Sequence, residues 1–240
     1  MEEIKNAIFD INPNKTPGLD GFGAEFFFPE LLGDELVHCI QDFFLHGKLL
    51  KEINHTFITL IPKSSQSYST SHFRQISLRS TICKIIAKIL VNHLQPLLAE
   101  TISPFQSAFI PGRSIHDNIL ITHEIMHKFK ITKGKLAWAA VKLDMEKAYN
   151  KLKWDFLFTC LTQVGFHHQW IRWIKECATI VLYSMLVNNS SHGLFQPSWG
   201  IRQGDPLSPY LFILCMNAFC VTLCKLASTP KSRVGGRHLS

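Results

Sequence analysis

A chain of 240 residues suffices for one large domain or two lobes, and its 46% hydrophobic and 11% aromatic residues supply a full core. This composition excludes a fibrous or wholly disordered protein. The formal net charge of +7 favours polyanionic partners, although many basic proteins bind no nucleic acid.

Cysteine usage and hydropathy bear on location. The seven cysteines are scattered among apolar residues without a C-x-x-C pair, which is typical of reduced core thiols in an intracellular protein, nuclear or cytoplasmic. The first residues lack the basic start and apolar core of a signal peptide. Residues 210–224 are apolar, but they fall short of the ~20 residues that span a bilayer and contain Asn217, so we predict a buried core helix and no membrane partner.

The N-terminal third predicts two helices and a hairpin. Residues 1–10 have helical spacing, residues 12–21 form a loop rich in proline, glycine and asparagine, and a second helix follows within residues 26–50. Its apolar positions are Leu31, Leu32, Leu36, Ile40, Phe43 and Phe44. Two short strands, residues 57–62 and 73–78, make a hairpin that carries Lys63 and Arg74. Basic residues on a hairpin are usually only solvated.

Two more helices follow the hairpin. One has an apolar stripe at a spacing of about 3.6, and Pro96 should end or kink it. The stripe consists of Ile82, Ile85, Ile86, Ile89, Leu90 and Leu94. After a turn over residues 106–113, Ser114 begins a helix in the manner of a capping box. Its predicted apolar face consists of Ile115, Ile119, Met126 and Phe129.

That helix contains a zinc motif. His123, Glu124 and His127 match H-E-x-x-H, in which two imidazoles one turn apart bind zinc and the glutamate acts as base. No third ligand follows at the spacing of the metzincins, and twelve histidines make a chance pair unsurprising. A zinc hydrolase is therefore the weakest of the functional hypotheses.

The apolar run at residues 136–141 predicts a buried strand that delivers Asp144 to a sheet edge, where sites are usually built. Taken alone, Asp144 would more often cap the helix that follows it. Further on we predict helices at 154–166, ended by Gly165, and at about 168–178. A hairpin with its turn at 188–193, a helix from near Ser208 and an unfolded basic tail at 228–240 complete the chain.

Residues 200–209, G-I-R-Q-G-D-P-L-S-P, combine glycines, prolines and both charge signs, which indicates a loop that meets a ligand. Together with four further blocks, this loop resembles the reverse transcriptase domain of LINE-type (non-LTR) retrotransposons of the kind abundant in plant genomes. The further blocks are K-T-P-G-L-D-G-F at 15–22, F-I-T-L-I-P-K at 57–63 with F-R-Q-I-S-L at 73–78, Q-S-A-F-I-P-G-R-S at 106–114, and residues 140–154 around Asp144.

The resemblance implies an α/β (α+β) protein with a right-hand polymerase fold. It implies a fingers-like region at 1–135, a partial palm at 136–227 and no thumb. RNA template, DNA primer and dNTP are the implied partners, with two Mg²⁺ ions as cofactors. By resemblance Asp144 binds both metal ions, and Tyr149 packs on the sugar and excludes a 2′-hydroxyl.

The remaining site residues also follow from the resemblance. Lys63 and Arg74 hold the triphosphate, and Gln203 and Gly204 contact nucleotide and template. Arg202, next to them, is a further implied substrate contact. Two positions depart from the family pattern. Gln75 stands where the family usually has proline, and Asn150 stands where it generally has aspartate.

No aspartate or glutamate follows Asp205, so the family's later Ala-Asp-Asp hairpin is missing from this sequence. Two-metal catalysis needs several carboxylates around ions about 3.5–4 Å apart. We therefore expect a truncated polymerase domain that does not extend a primer. The alternative is a non-catalytic nucleic-acid-binding remnant.

Overall fold

A computed structural model describes residues 1–27, 33–66, 68–132 and 140–228. The helices are α1 (Glu2–Phe9), α2 (Gly33–His46), α3 (Thr81–Thr101), α4 (Ile115–Ile131), α5 (Ala148–Lys151), α6 (Trp154–Val164), α7 (His168–Thr179) and α8 (Ser208–Ser228). The strands are β1 (His55–Pro62), β2 (Phe73–Arg79), β3 (Leu182–Val187) and β4 (Ser190–Phe195). The mixed α/β class predicted from the sequence is confirmed.

One four-stranded sheet joins the two halves of the chain, in the order β2-β1-β3-β4. The predicted hairpin of β1 and β2 is confirmed, and its antiparallel register runs from Thr56 opposite Arg79 to Pro62 opposite Phe73. β1 also pairs in parallel with β3. The sheet therefore contains strands from both sides of the predicted lobe boundary at residue 135, and that boundary stays a prediction.

The second hairpin has a tighter turn than predicted. Val187 pairs with Ser190, so only Asn188 and Asn189 connect β3 to β4, and their φ angles are 49° and 60°. Asparagine is one of the few residues that adopt this left-handed conformation readily. The strand can therefore begin at Ser190, inside the segment predicted as turn.

The core is built around α3, whose apolar stripe is buried as predicted except at Ile82, which is partly buried. Ile4, Ala7 and Ile8 of α1 are buried in the same cluster. Pro96 does not end α3, since the helix continues to Thr101, and the alternative that Pro96 kinks the helix stays a prediction. Leu94 and Leu98 are both fully buried, so core packing holds the helix on either side of the proline.

Helices α6 to α8 form the second part of the core. Gly165 ends α6 with a φ of 96°, as predicted. The first half of α8 is largely buried, but from Phe219 to Leu226 its apolar residues are exposed, so the predicted core helix is confirmed only in its first half. The Asn217 side chain bonds Ser103 and Thr101 at the end of α3. By length and composition alone, α3 and α8 would each suffice to cross a membrane, and α8 extends past the segment judged too short.

Two predictions about packing fail. Residues 140–145 have no regular structure, and Val141 is 80% exposed, so the predicted strand is wrong at Ala140 and Val141. A strand needs a partner for its backbone, and none of the four described strands pairs with this segment. Helix α4 forms as predicted, but none of its side chains is buried. Leu31, Leu32, residues 136–139 and the tail from 229 lie outside the described residues.

Candidate functional site

A cleft of about 620 Å³ lies between the first hairpin, the α5 turn and the loop that precedes α8. Together with Lys15 of the N-terminal loop, four separate stretches of the chain therefore meet at one opening. The cleft is lined by Lys15, Lys63, Thr70, Phe73, Arg74, Gln75, Lys147, Ala148, Tyr149, Asn150, Gln203, Gly204, Asp205, Pro206 and Pro209.

Five of the predicted site residues line this cleft. They are Lys63, Arg74, Tyr149, Gln203 and Gly204. Antiparallel pairing of β1 and β2 brings Lys63 and Arg74 to the same end of the hairpin, and the Lys63 N–H donates to the carbonyl of His72 over 2.8 Å. The Lys63 ammonium donates to the carbonyl of Ser71 over 2.9 Å, and since an ammonium has three donors, it retains capacity for a ligand.

Tyr149 is held from two sides. Its ring lies 5.2 Å, centroid to centroid, from that of Phe212 on α8, and its carbonyl accepts a 2.9 Å hydrogen bond from the Ile201 N–H. Partial burial raises the pKa of the Tyr149 phenol, so it stays neutral at physiological pH. The cleft thus presents a fixed, uncharged aromatic face.

The Gln203 loop is attached to β2 by its backbone. The Ser77 N–H donates to the Gln203 carbonyl over 2.9 Å. Gly204 has a φ of +100°, and a side chain there would start 3.4 Å from the Ser77 carbonyl. Only glycine adopts this conformation without strain, so the loop can approach the strand closely.

Arg202 does not line the cleft. It is buried, and its guanidinium donates to Asn54 over 2.8 Å and to the carbonyl of Cys177. It also forms an ion pair with Asp205 at 3.3 Å. The sequence predicted a substrate contact for Arg202, and that role stays a prediction, while the contacts described give it a structural role.

Asp205 connects this loop to the far end of β2. Its carboxylate accepts hydrogen bonds from the guanidinium of Arg79 and, over 3.0 Å, from the Leu207 N–H. Burial by itself lowers the pKa of Arg79, but Asp205 opposes burial and the net pKa is raised. No sequence pattern pointed to Arg79, which lies one residue beyond the F-R-Q-I-S-L block.

Asp144 lies outside the cleft lining, on the irregular and exposed segment that precedes the α5 turn. Among the described residues, no group of three or more histidine, cysteine, aspartate or glutamate side chains is suited to hold a metal ion. Asp205, the acidic residue in the cleft lining, forms ion pairs with Arg79 and Arg202. The described residues therefore do not fit the two-metal site that the resemblance implies.

The cleft is strongly cationic. Besides Lys63 and Arg74, it is lined by Lys15 and Lys147, which the sequence analysis did not select. Lys147 precedes α5 with a φ of 51°, and it lies between Asp144 and Tyr149 in a stretch already singled out. Because the acid in the lining, Asp205, is paired internally, the cleft favours an anionic ligand.

The zinc motif lies elsewhere. His123, Glu124 and His127 are all exposed on α4, and none of them lines the cleft. Within the described ranges they belong to no cluster suited to a metal ion. The zinc hypothesis gains no support from their surroundings.

The sheet and cleft together define a mixed α/β protein with a cationic cleft. The sequence pattern of the family described as Reverse transcriptase (RNA-dependent DNA polymerase) matches residues 61–227, which is more than half of the chain. The chain therefore belongs to this family.

Known proteins resemble the chain over most of its length. A transposon TX1 uncharacterized 149 kDa protein of Xenopus laevis is 32% identical over 227 residues, 94% of this chain and 17% of that protein. A retrovirus-related Pol polyprotein from a type-1 retrotransposable element R2 of Popillia japonica is 26% identical over 95% of this chain and 31% of its own length. An uncharacterized mitochondrial protein of Arabidopsis thaliana is 55% identical over 55 residues, 23% of this chain and 43% of that protein.

These likenesses identify the chain as a reverse transcriptase domain of a non-LTR retroelement. The chain spans 17% and 31% of the length of the first two relatives.

Proposed function

We propose that the cleft binds a deoxynucleoside triphosphate, paired to an RNA template and next to a DNA primer, for RNA-directed DNA synthesis. One observation carries the proposal. Residues selected for this role from three distant stretches of the sequence line a single cationic cleft.

The proposed roles follow the chemistry of each group. Lys63 and Arg74 bind the triphosphate through charge-assisted hydrogen bonds. Tyr149 packs on the sugar, and Gln203 and Gly204 contact the base pair being formed. The fold supports these roles because hairpin, turn and loop are connected by backbone hydrogen bonds.

We also propose that residues 1–135 are fingers-like and 136–227 belong to a palm in a right-hand polymerase. The likeness to the Arabidopsis protein supports a plant origin. The seven free cysteines support an intracellular location.

A polymerase of this family uses divalent metal ions, and Asp144 is the proposed ligand from this chain. Since the described carboxylates do not make a two-metal set, we propose that the isolated 240-residue chain does not extend a primer.

The first experiment measures the affinity for dTTP of three purified proteins: the wild-type chain, Lys63→Ala and Arg74→Ala. Each substitution removes a charge-assisted contact, so each should weaken binding about tenfold or more. Lys128→Ala is the matched control, since Lys128 is an exposed cation on α4 that does not line the cleft. Equal losses in all three variants would contradict the proposed triphosphate site.

The second experiment is primer extension on an RNA template with Mg²⁺ and dNTPs. We expect no product from the wild-type chain or from Asp144→Ala. Extension that disappears in Asp144→Ala would show that the isolated chain has a working metal site, and it would overturn the proposal of inactivity while supporting the polymerase assignment.

A second candidate function is favoured by the charge of the cleft and the net charge of +7. The chain would then be a non-catalytic nucleic-acid binder. Binding to an RNA–DNA hybrid should weaken steeply as salt rises from about 50 to 200 mM, because phosphate contacts release counterions. Absent or salt-independent binding would exclude this function.

A further inference from the structure

The side chains of Gln75 and Asn150 contact each other at the edge of the cleft. The Asn150 amide nitrogen donates to the Gln75 side-chain oxygen over 2.8 Å. The bond joins β2 to α5, and both residues line the cleft.

This bond completes a ring of three segments. The α5 turn is joined to the loop before α8 by the hydrogen bond from the Ile201 N–H to the Tyr149 carbonyl, 2.9 Å long. That loop is joined to β2 by the Ser77 to Gln203 backbone bond. Those two connections are made by the backbone and depend little on side-chain identity, whereas the third depends entirely on two amide side chains.

Tyr149, the aromatic face of the cleft, belongs to this ring through its carbonyl. Tyr149 immediately precedes Asn150 on α5, and a helix of four residues has little stability of its own. A second cavity, of about 190 Å³, lies beside the cleft and shares Gln75, Asn150 and Gln203 with it. The amide pair lies where the two openings meet, and without it the α5 turn keeps its backbone bonds to the loop before α8 but loses this connection to β2.

We propose that Gln75 and Asn150 are a pair of positioning residues that fix Tyr149 and thereby set the preference of the cleft for deoxyribonucleotides. The inference rests on the proposed function, in which Tyr149 excludes the 2′-hydroxyl. A shift of the turn by about an ångström is enough to alter such a contact. The pair acts through Tyr149 and does not itself contact the sugar.

The amide chemistry predicts which substitutions preserve the bond. Asn150→Asp removes the donor, but the Gln75 amide can rotate and donate to the new carboxylate. In Gln75→Glu, the new carboxylate still accepts from the Asn150 amide. Both variants add negative charge to a cationic cleft, so they weaken the binding of all triphosphates alike. The ratio of the dissociation constants for two nucleotides is therefore unchanged. Alanine at either position abolishes the bond.

The test is a double-mutant cycle read out as a ratio of dissociation constants, that for ATP divided by that for dATP. Gln75→Ala and Asn150→Ala should each lower this ratio about two- to tenfold, the range expected from one net hydrogen bond. The double variant should lower it no further than either single variant. Asn150→Asp and Gln75→Glu should retain the wild-type ratio while binding both nucleotides more weakly. Tyr149→Ala should abolish the discrimination.

Gln163→Ala is the matched control, because Gln163 is an exposed amide on α6 that does not line the cleft. Circular dichroism verifies folding. If an alanine variant loses its helical signal, Gln75→Met or Asn150→Leu replaces it at the same position.

The outcomes separate the two proposals. A wild-type chain that binds neither nucleotide overturns the proposed function and this inference with it. Binding with discrimination that is unchanged in the single variants, or losses that multiply in the double variant, overturns the inference alone.

Discussion

The carboxylate of Asp205 accepts a hydrogen bond from the guanidinium of Arg79, 126 residues earlier in the chain, and both groups are buried. Arg202 forms a second ion pair with the same carboxylate. One aspartate thus connects the end of β2 to the loop that carries Gln203. Burying ions is costly, so such a cluster is stable only while its charges remain paired.

Asp205→Asn should therefore destabilise the fold strongly. The substitution leaves two buried guanidinium groups without a carboxylate, and we expect a loss of about 3–5 kcal/mol in the free energy of unfolding. Urea denaturation followed by circular dichroism measures this loss. Asp155→Asn, at an exposed position on α6, is the control and should change stability by less than about 0.5 kcal/mol. Similar values for the two variants would show that the buried cluster contributes little.

Gly18→Ala should disrupt the packing of the N-terminal loop. A Cβ atom at Gly18 would overlap the backbone of Arg79 and Ser80, where the loop crosses the end of β2. Because backbone cannot yield as a side chain does, we expect a loss of about 2 kcal/mol or more. Gly23→Ala is the matched change, since a Cβ there comes no nearer than 3.9 Å to the Pro13 carbonyl. Thermal unfolding of both variants tests this contact, and an unchanged midpoint in Gly18→Ala would refute it.

Stability should fall in alkaline solution. Burial raises the pKa of the Cys177 thiol from 9.0 to about 12, and it also raises the pKa of Cys215. A thiol whose pKa is higher in the folded state stabilises the fold fully below pH 9.0, and this contribution is lost as the pH rises through about 12. Urea midpoints at a series of pH values should be level below that window and decline within it. Cys177→Ala should flatten the decline; the same slope in that variant would assign the effect to other groups.

Zinc should be absent from the purified chain. His123 and His127 are exposed on α4, and the described residues around them supply no cluster for a metal ion. We expect elemental analysis of protein prepared without chelator to give no stoichiometric zinc. Zinc bound at one equivalent and lost in His123→Ala would revive the hydrolase hypothesis.

Local patterns predicted most of the secondary structure. The stripe on α3, the glycine after α6 and the strands of the first hairpin are recorded in short stretches of sequence, because periodicity and backbone preference act over a few residues. The length of the β3–β4 turn was mispredicted because Asn188 and Asn189 both tolerate the left-handed conformation, which shortens the connection. The helix continues past Pro96 because core packing outweighs one lost backbone hydrogen bond.

The sequence by itself determined the family, the class of fold and the residue types of the cleft, since these depend on the identity and order of side chains. Only the tertiary structure decided which of them meet. Lys15 and Lys147 line the cleft, whereas Arg202 is buried with Arg79 and Asp205. Gln75 accepts a hydrogen bond from Asn150. These contacts join residues far apart in the chain, and their partners are fixed by sheet pairing and close packing, which no local pattern records.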